Sequence, residues 1–413
     1  MTDDEVRYVS EVSDPRKIAL RTQRLDIQKK YMGADQAVRI QYSSKNASVA
    51  NSWKKWQGEA KGILKNHTAD KKAAYQENFR KWARGTRYEG VLDQLEELYR
   101  RRNPYYLAYE YYTETARTIE ILQFASSVKN NLSDKKAKDE IAASFFKDYY
   151  EPIDREIFSA MMSSLDRELD EAFKPQFFKD RLSEFGSIDA WRDHLFSNTI
   201  FTDRQKVLSL TEADEKDVLS DPAYETFLAF YDWYYDSLRP TVNETNRDIR
   251  LAMRTYMQGQ MDFEPGKQFY PDANLTLRVA YGHVEGYSPA DGITYRPVST
   301  LTGIIEKDNP DIFDYNIPQT LRDIYARGGH DDQPVCFLAT NHTTGGNSGS
   351  PVLNAEGNLV GINFDRVWEG TMSDIAFDPE ICRNISLDVR YLLFNIKEIG
   401  HADYLFDEMV FVE

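Results

Sequence analysis

The sequence predicts an α+β chain, with a large α-helical domain over residues 1–262 and a β-barrel over residues 263–413 that ends in a helix. Three observations point there. Helix formers dominate and glycine is scarce up to about residue 262. Turn residues and short β-rich runs take over near Phe263. The run "TTGGNSGSPVLNAEGNLVGINFDR", Thr343 to Arg366, reads as a tight turn with a hairpin behind it. A length of 413 residues suits two domains of roughly 100–200 residues each.

In chain order, "SDPRKIALRTQRLDIQKKYM" predicts a helix with Asp14 as N-cap and Pro15 at its first position. "SDKKAKDEIAASFFKDYYEPIDREIFSAMMSSLDRELDEAF" continues in helical character until Pro175, and "SDPAYETFLAFYDWYYDSL" repeats the Ser-Asp-Pro opening at Ser220. No fixed-period repeat is visible. Beyond Phe263, alternation in "LTLRVAYG" predicts a strand, as does "PVCFLAT". "SPVLNAEGNLVGINFD" predicts two strands joined at "NAEGN". "ISLDVRYLLFNIKEIG" places Val389, Leu392, Leu393, Ile396 and Ile399 on one helical face, with Gly400 as a stop.

A formal charge of −16 argues against a nucleic-acid partner, because phosphate binding needs a basic face. A positively charged partner such as a free amino terminus suits it better, although net acidity also simply keeps a protein soluble. Cys336 and Cys382 allow a single disulfide and show no metal-ligand spacing, so buried structural thiols are the plain reading. No apolar run is long enough to span a membrane. Met1 is followed by the polar, acidic "TDDEVRYVSEVSDPRK", which is no signal peptide and implies the cytoplasm if Met1 is the true start.

The chemistry concentrates in "GGNSGSP". A nucleophilic serine must stand at the tip of a tight loop, with two backbone N–H groups aimed at the oxyanion that forms beside it. Gly346 and Ser348 would supply those groups across Asn347. Gly349 keeps the exit free of a side chain, and Pro351 fixes the entry to the next strand. The elbow G-x-S-x-G does not fit, because residue 350 is serine and a strand rather than a helix follows. Ser350 is the second candidate, and a Gly-Ser hairpin connection without chemistry is the plain alternative.

"FYPDANLTLRVAYG", "VCFLATNHTTGGNSGSPVLNAEGNLVGINFDRVWE", "ISLDVRYLLF" and "VRIQYSSKNASVANSWKKWQGE" resemble the bacterial exo-acting serine dipeptidyl-peptidases of the dipeptidyl-peptidase 7 and 11 type. That resemblance implies a chymotrypsin-like double β-barrel with a large helical domain inserted between the barrels and capping the site. It implies Ser348 as nucleophile and Gly346 as an oxyanion-hole position. Asp365 would hold the substrate's free α-amino group, with Asn51 sharing the task from the helical domain, although Asn46 lies close by. Members that cut after hydrophobic residues resemble this stretch with glycine at position 366, and those that cut after Asp or Glu with arginine. A guanidinium can take a carboxylate in bidentate fashion, so Arg366 implies acidic second residues. The plain alternative makes Arg366 a surface ion-pair partner of Asp365 or Glu369. No cofactor or metal is implied, and a homodimer of the complete protein stays open.

A triad serine also needs a base within hydrogen-bond reach. None of His67, His194, His283, His330, His342 and His401 lies in a stretch that resembles the family's base motif. By resemblance the histidine and aspartate belong to a first barrel preceding the helices, so the expectation is a fragment with little activity alone and exposed apolar surface on the late barrel. The complete protein would then act in the periplasm or at the cell surface. Two other readings stand beside this one. A non-catalytic module would capture acidic amino-terminal dipeptides, and a helical interaction protein would carry a decayed barrel.

Overall fold

The computed structural model describes residues 1–271 and 276–412. The chain divides into two compact units, Met1–Ala60 with His67–Phe269, and Lys61–Asn66 with Tyr270–Glu413.

The first unit is helical. In order it contains α1 (Asp3–Arg7), α2 (Asp14–Ala34), α3 (Gln36–Lys65, whose last turn counts with the second unit), α4 (Thr68–Ala83) and α5 (Val91–Glu114). Then come α6 (Glu120–Asn130), α7 (Lys135–Lys147), α8 (Glu151–Glu168), α9 (Gln176–Phe185) and α10 (Ile188–Asn198). α11 (Arg204–Ser209), α12 (Glu215–Leu219), α13 (Pro222–Asp232) and α14 (Arg239–Phe263) complete it.

The expected cap at Asp14 is absent. The chain is already helical there, running from α1 through a π turn, Tyr8–Ser13, straight into α2. Pro15 offers no N–H, and its ring would crowd the carbonyl four residues back in a regular helix. The wide turn before it relieves that crowding. The same device recurs before Pro240, where the π turn Trp233–Leu238 leads into α14. At the second Ser-Asp-Pro, α12 has already ended at Leu219 and the backbone at Asp221 is extended, so Asp221 does cap: its carboxylate accepts from Ala223 N at 2.8 Å and Tyr224 N at 3.4 Å.

Two charges inside this unit serve helix ends. Lys138 is fully buried and its Nζ donates to the carbonyls of Val207 (3.1 Å), Leu208 (3.0 Å) and Leu210 (2.5 Å) at the end of α11. Asp154, also fully buried, accepts from the N–H groups of Glu120 (2.7 Å) and Ile121 (2.8 Å) that open α6. Burial, with Glu120 beside it, pushes the Asp154 carboxyl up to about 7.

The second unit is built on strands β1 (Tyr287–Ala290), β2 (Ile293–Tyr295), β3 (Val298–Thr300), β4 (Pro334–Ala339), β5 (Pro351–Leu353), β6 (Leu359–Arg366) and β7 (Asn384–Asp388). β1 and β2 form a hairpin, and the rest form an antiparallel sheet in the order β3-β4-β7-β6-β5. Helices α15 (Leu301–Glu306), α16 (Gln319–Ala326) and α17 (Val389–Phe394) accompany it. Leu301, Leu321, Ile324, Val335 and Phe394 make a buried cluster in this unit.

Two sequence expectations change here. Leu275 of "LTLRVAYG" lies outside the described residues, and residues 276–282 form no strand. Just beyond this stretch, Val284 makes an isolated bridge with Ala339. At the chain's end, Ile385–Asp388 belongs to β7, so the helix is short and passes into a π turn, Asn395–Ile399. The expected stripe does not carry the burial: Phe394 is buried while Ile399 is exposed.

Candidate active site

β5 and β6 form the expected hairpin, closed at "NAEGN" by Asn354 N donating to Asn358 O at 3.0 Å. The serine turn precedes β5. Gly346 and Gly349 take φ of 103° and 86°, values that a side chain at Cβ disfavours. Ser348 is exposed at the tip, and its Oγ donates to the carbonyl of Phe364 at 3.2 Å. Among the described residues, the N–H groups of Gly346 and Ser348 have no hydrogen-bond partner. An exposed hydroxyl beside open N–H groups is one part of what acyl transfer at a serine requires, a general base being the other. Ser350 instead lies in the pairing with β6: its carbonyl accepts from Asn363 N at 2.9 Å.

A β-bulge in β6 decides where the next residues point. Asn363 lies opposite Ser386, and Asp365 opposite Ile385, so Phe364 is the extra residue. The bulge moves Asp365 off the face that carries Asn363, and it stands exposed. Its Oδ1 accepts the Arg366 backbone N–H at 2.7 Å. Arg366 pairs across to Asn384, and only 16% of its side chain is exposed.

The Arg366 guanidinium meets neither Asp365 nor Glu369. Nη1 donates to Ser373 Oγ (2.6 Å), Asp374 Oδ1 (2.9 Å) and Thr343 O (3.3 Å), and Nη2 to Asp374 Oδ2 (3.2 Å). Asp374 thus takes the end of the fork in bidentate fashion, leaving the Nε edge for another acceptor. Glu369 accepts from the Tyr287 hydroxyl at 2.6 Å. Ser373 and Asp374 lie on the 3-10 turn Trp368–Asp374. The last turn of α3 packs on this segment, with Asn66 Nδ2 3.4 Å from Met372 Sδ. A Cβ on Gly62 would come within 2.8 Å of that sulfur.

Asn51 lies on the helical unit, exposed on α3, whereas Asn46 is tied to Gln28 at 3.0 Å. Among the described residues no histidine bonds to Ser348. His342 lies against the Phe377 ring at 4.6 Å, and His330 against Phe394 at 5.2 Å. Cys336 and Cys382 are free thiols, and burial raises the pKa of both.

Sequence reasoning missed Asn363, Asn384, Ser373 and Asp374. It also missed Arg383, whose buried guanidinium ties the carbonyls of Glu285 (3.2 Å) and Pro379 (2.8 Å). The sequence carried no sign of the bulge, because Phe364 continues the apolar alternation of Val360 and Ile362.

The family profile described as Peptidase S46 matches residues 1–411. The Asp/Glu-specific dipeptidyl-peptidase of Flavobacterium psychrophilum is 35% identical, over 98% of this chain and 60% of its own length. Dipeptidyl-peptidase 7 of Phocaeicola vulgatus is 32% identical, over 100% of this chain and 61% of its own. The crystal structure of Porphyromonas endodontalis DPP11 in complex with the dipeptide Arg-Glu superposes with a TM-score of 0.88 at 30% identity, covering 99% of this chain and 62% of that one. The chain therefore spans about 60% of the length of the relatives it matches.

Proposed function

Because the chain belongs to the Peptidase S46 family, matched along residues 1–411, we propose that it carries the nucleophile half of a serine-type dipeptidyl-peptidase that releases N-terminal dipeptides ending in Asp or Glu. The observation that carries this reading is Ser348, exposed at a turn whose Gly346 and Ser348 N–H groups have no partner among the described residues.

In this reading a general base takes the Ser348 proton as Oγ adds to the carbonyl after the substrate's second residue. The two N–H groups receive the resulting oxyanion. The C–N bond breaks, the leaving amine collects the proton, and water then hydrolyses the acyl-enzyme. The Asp365 carboxylate binds the free α-amino group and so counts two residues from the end. The Arg366 guanidinium, anchored by Asp374, turns its Nε edge to the acidic side chain. The fold around Ser348 is read as chymotrypsin-like, and the site of action as the periplasm or cell surface.

In this reading the base is the histidine of the first barrel that the family resemblance implies; among the described residues no histidine bonds to Ser348. The 413-residue chain by itself should hydrolyse Xaa-Glu amides at a negligible rate. Hydrolysis by the catalytically competent protein tests the reading: Ser348→Ala should lower kcat by at least about 10⁴-fold. A variant that keeps its rate overturns it. That no histidine among the described residues bonds to Ser348 also favours a second reading, a module that binds acidic dipeptides without cutting them. Xaa-Glu binding without turnover by the longest natural form of the protein would select it.

A further inference from the structure

We propose that Asn363 is a positioning residue for the oxyanion site, holding the Asn347–Ser348 peptide so that the Ser348 N–H faces outward. The proposal rests on Ser348 being the nucleophile and adds the residue that sets its N–H.

Asn363 is buried, at 6% exposure, directly behind the turn. Its main chain grips the exit of the turn: its carbonyl accepts from Gly349 N at 2.7 Å and its N–H donates to Ser350 O at 2.9 Å. Its side chain reaches one residue further back, where Nδ2 donates to the carbonyl of Asn347 at 3.1 Å. The N–H of Ser350 supports the same carbonyl at 3.0 Å.

A trans peptide is planar, with C=O and N–H on opposite sides, and no peptide bond among the described residues is cis. Fixing the Asn347 oxygen inward therefore turns the Ser348 N–H outward, where it lacks any partner among the described residues. If the carbonyl were released, the plane could rotate and withdraw that donor.

A carboxamide is the group this place requires. Asn363 donates at Nδ2 and accepts at Oδ1, where Asn384 Nδ2 donates at 2.8 Å. Asn384 is 3% exposed, and its Nδ2 also lies 3.4 Å from Ser386 Oγ. Asn384 thereby fixes which way the Asn363 amide points. Aspartate at 363 would keep the acceptor, lose the donor and set a carboxylate against the Asn347 oxygen.

Crystal structures of the 413-residue chain and its Asn363→Asp variant give the first test. The expected result is an intact sheet with the Asn347–Ser348 peptide rotated. An unrotated peptide overturns the proposal. Asn363→Ser, which shortens the side chain without adding charge, answers the same question where the Asp variant does not fold. In the catalytically competent protein, Asn363→Asp should lower kcat by about 10²–10³-fold with KM changed less than about threefold. Equal losses in both, or none, also overturn it. Ser348→Ala separates the two levels. If that variant keeps its activity, the serine reading fails, while the peptide's orientation still reports on Asn363.

Discussion

Gly349 shows at single-residue scale how much of the site is local. Its φ of 86° is a left-handed value that alanine reaches only at a cost of about 1–2 kcal/mol. Gly349→Ala should lower the stability to denaturant by that amount and, in the competent protein, reduce kcat; unchanged stability would show that the turn relaxes. The tight glycine turn and its exposed serine were legible because their geometry depends on spacing within a few residues. Asn363 and Asp374 were not. Asn363 matters through the register of β6 against β5 and β7, and Asp374 through a 3-10 turn eight residues beyond its arginine. The plain alternative for Arg366, an ion pair with Asp365 or Glu369, is not formed: the bulge at Phe364 moves Asp365 away, and Tyr287 holds Glu369.

Elements were legible where both their signals were local. The hairpin β5–β6 carries β-rich runs and a turn with Gly357 at φ 86°, and it folds as read. The end of the chain misled because Ile385–Asp388 satisfies a helical stripe and a strand equally well. Pairing of Ser386 with Phe337 and Asn363 selects the strand. Lys138 was invisible as an end cap, since the carbonyls it holds, Val207 to Leu210, lie 69 to 72 residues later. Lys138→Met should cost about 2–3 kcal/mol, because three buried carbonyls lose their donor. Chemical denaturation would show it, and a change below about 0.5 kcal/mol would mean that water replaces the ammonium. In the sheet, a Cβ at Gly361 would meet Leu387 O at 2.6 Å and the Phe337 ring at 2.7 Å. Gly361→Ala should therefore destabilise the second unit by about 1–3 kcal/mol.

For the whole molecule, the folded chain responds to pH through Asp154. Its carboxyl titrates near 7 when folded and near about 4 when unfolded. The folded state then binds the extra proton between those values, so this group's contribution is present below about pH 4 and lost as pH rises through about 7. Asp154→Asn should flatten that slope in denaturation midpoints between about pH 4.5 and 7.5; an unchanged slope would assign it elsewhere. Leu277, Val279 and Tyr281 are 94%, 82% and 82% exposed on alternate positions. The chain should accordingly bind a hydrophobic dye or self-associate, and serine at all three positions should reduce both.

The central claim is that Arg366 reads an acidic second residue beside an open serine. Calorimetric titration of the 413-residue chain with Xaa-Glu and Xaa-Leu dipeptides tests it without needing turnover. The account predicts that Xaa-Glu binds at least about tenfold more tightly than Xaa-Leu, and that Arg366→Gly removes the difference. Equal affinities for the two dipeptides, unmoved by Arg366→Gly, would contradict it.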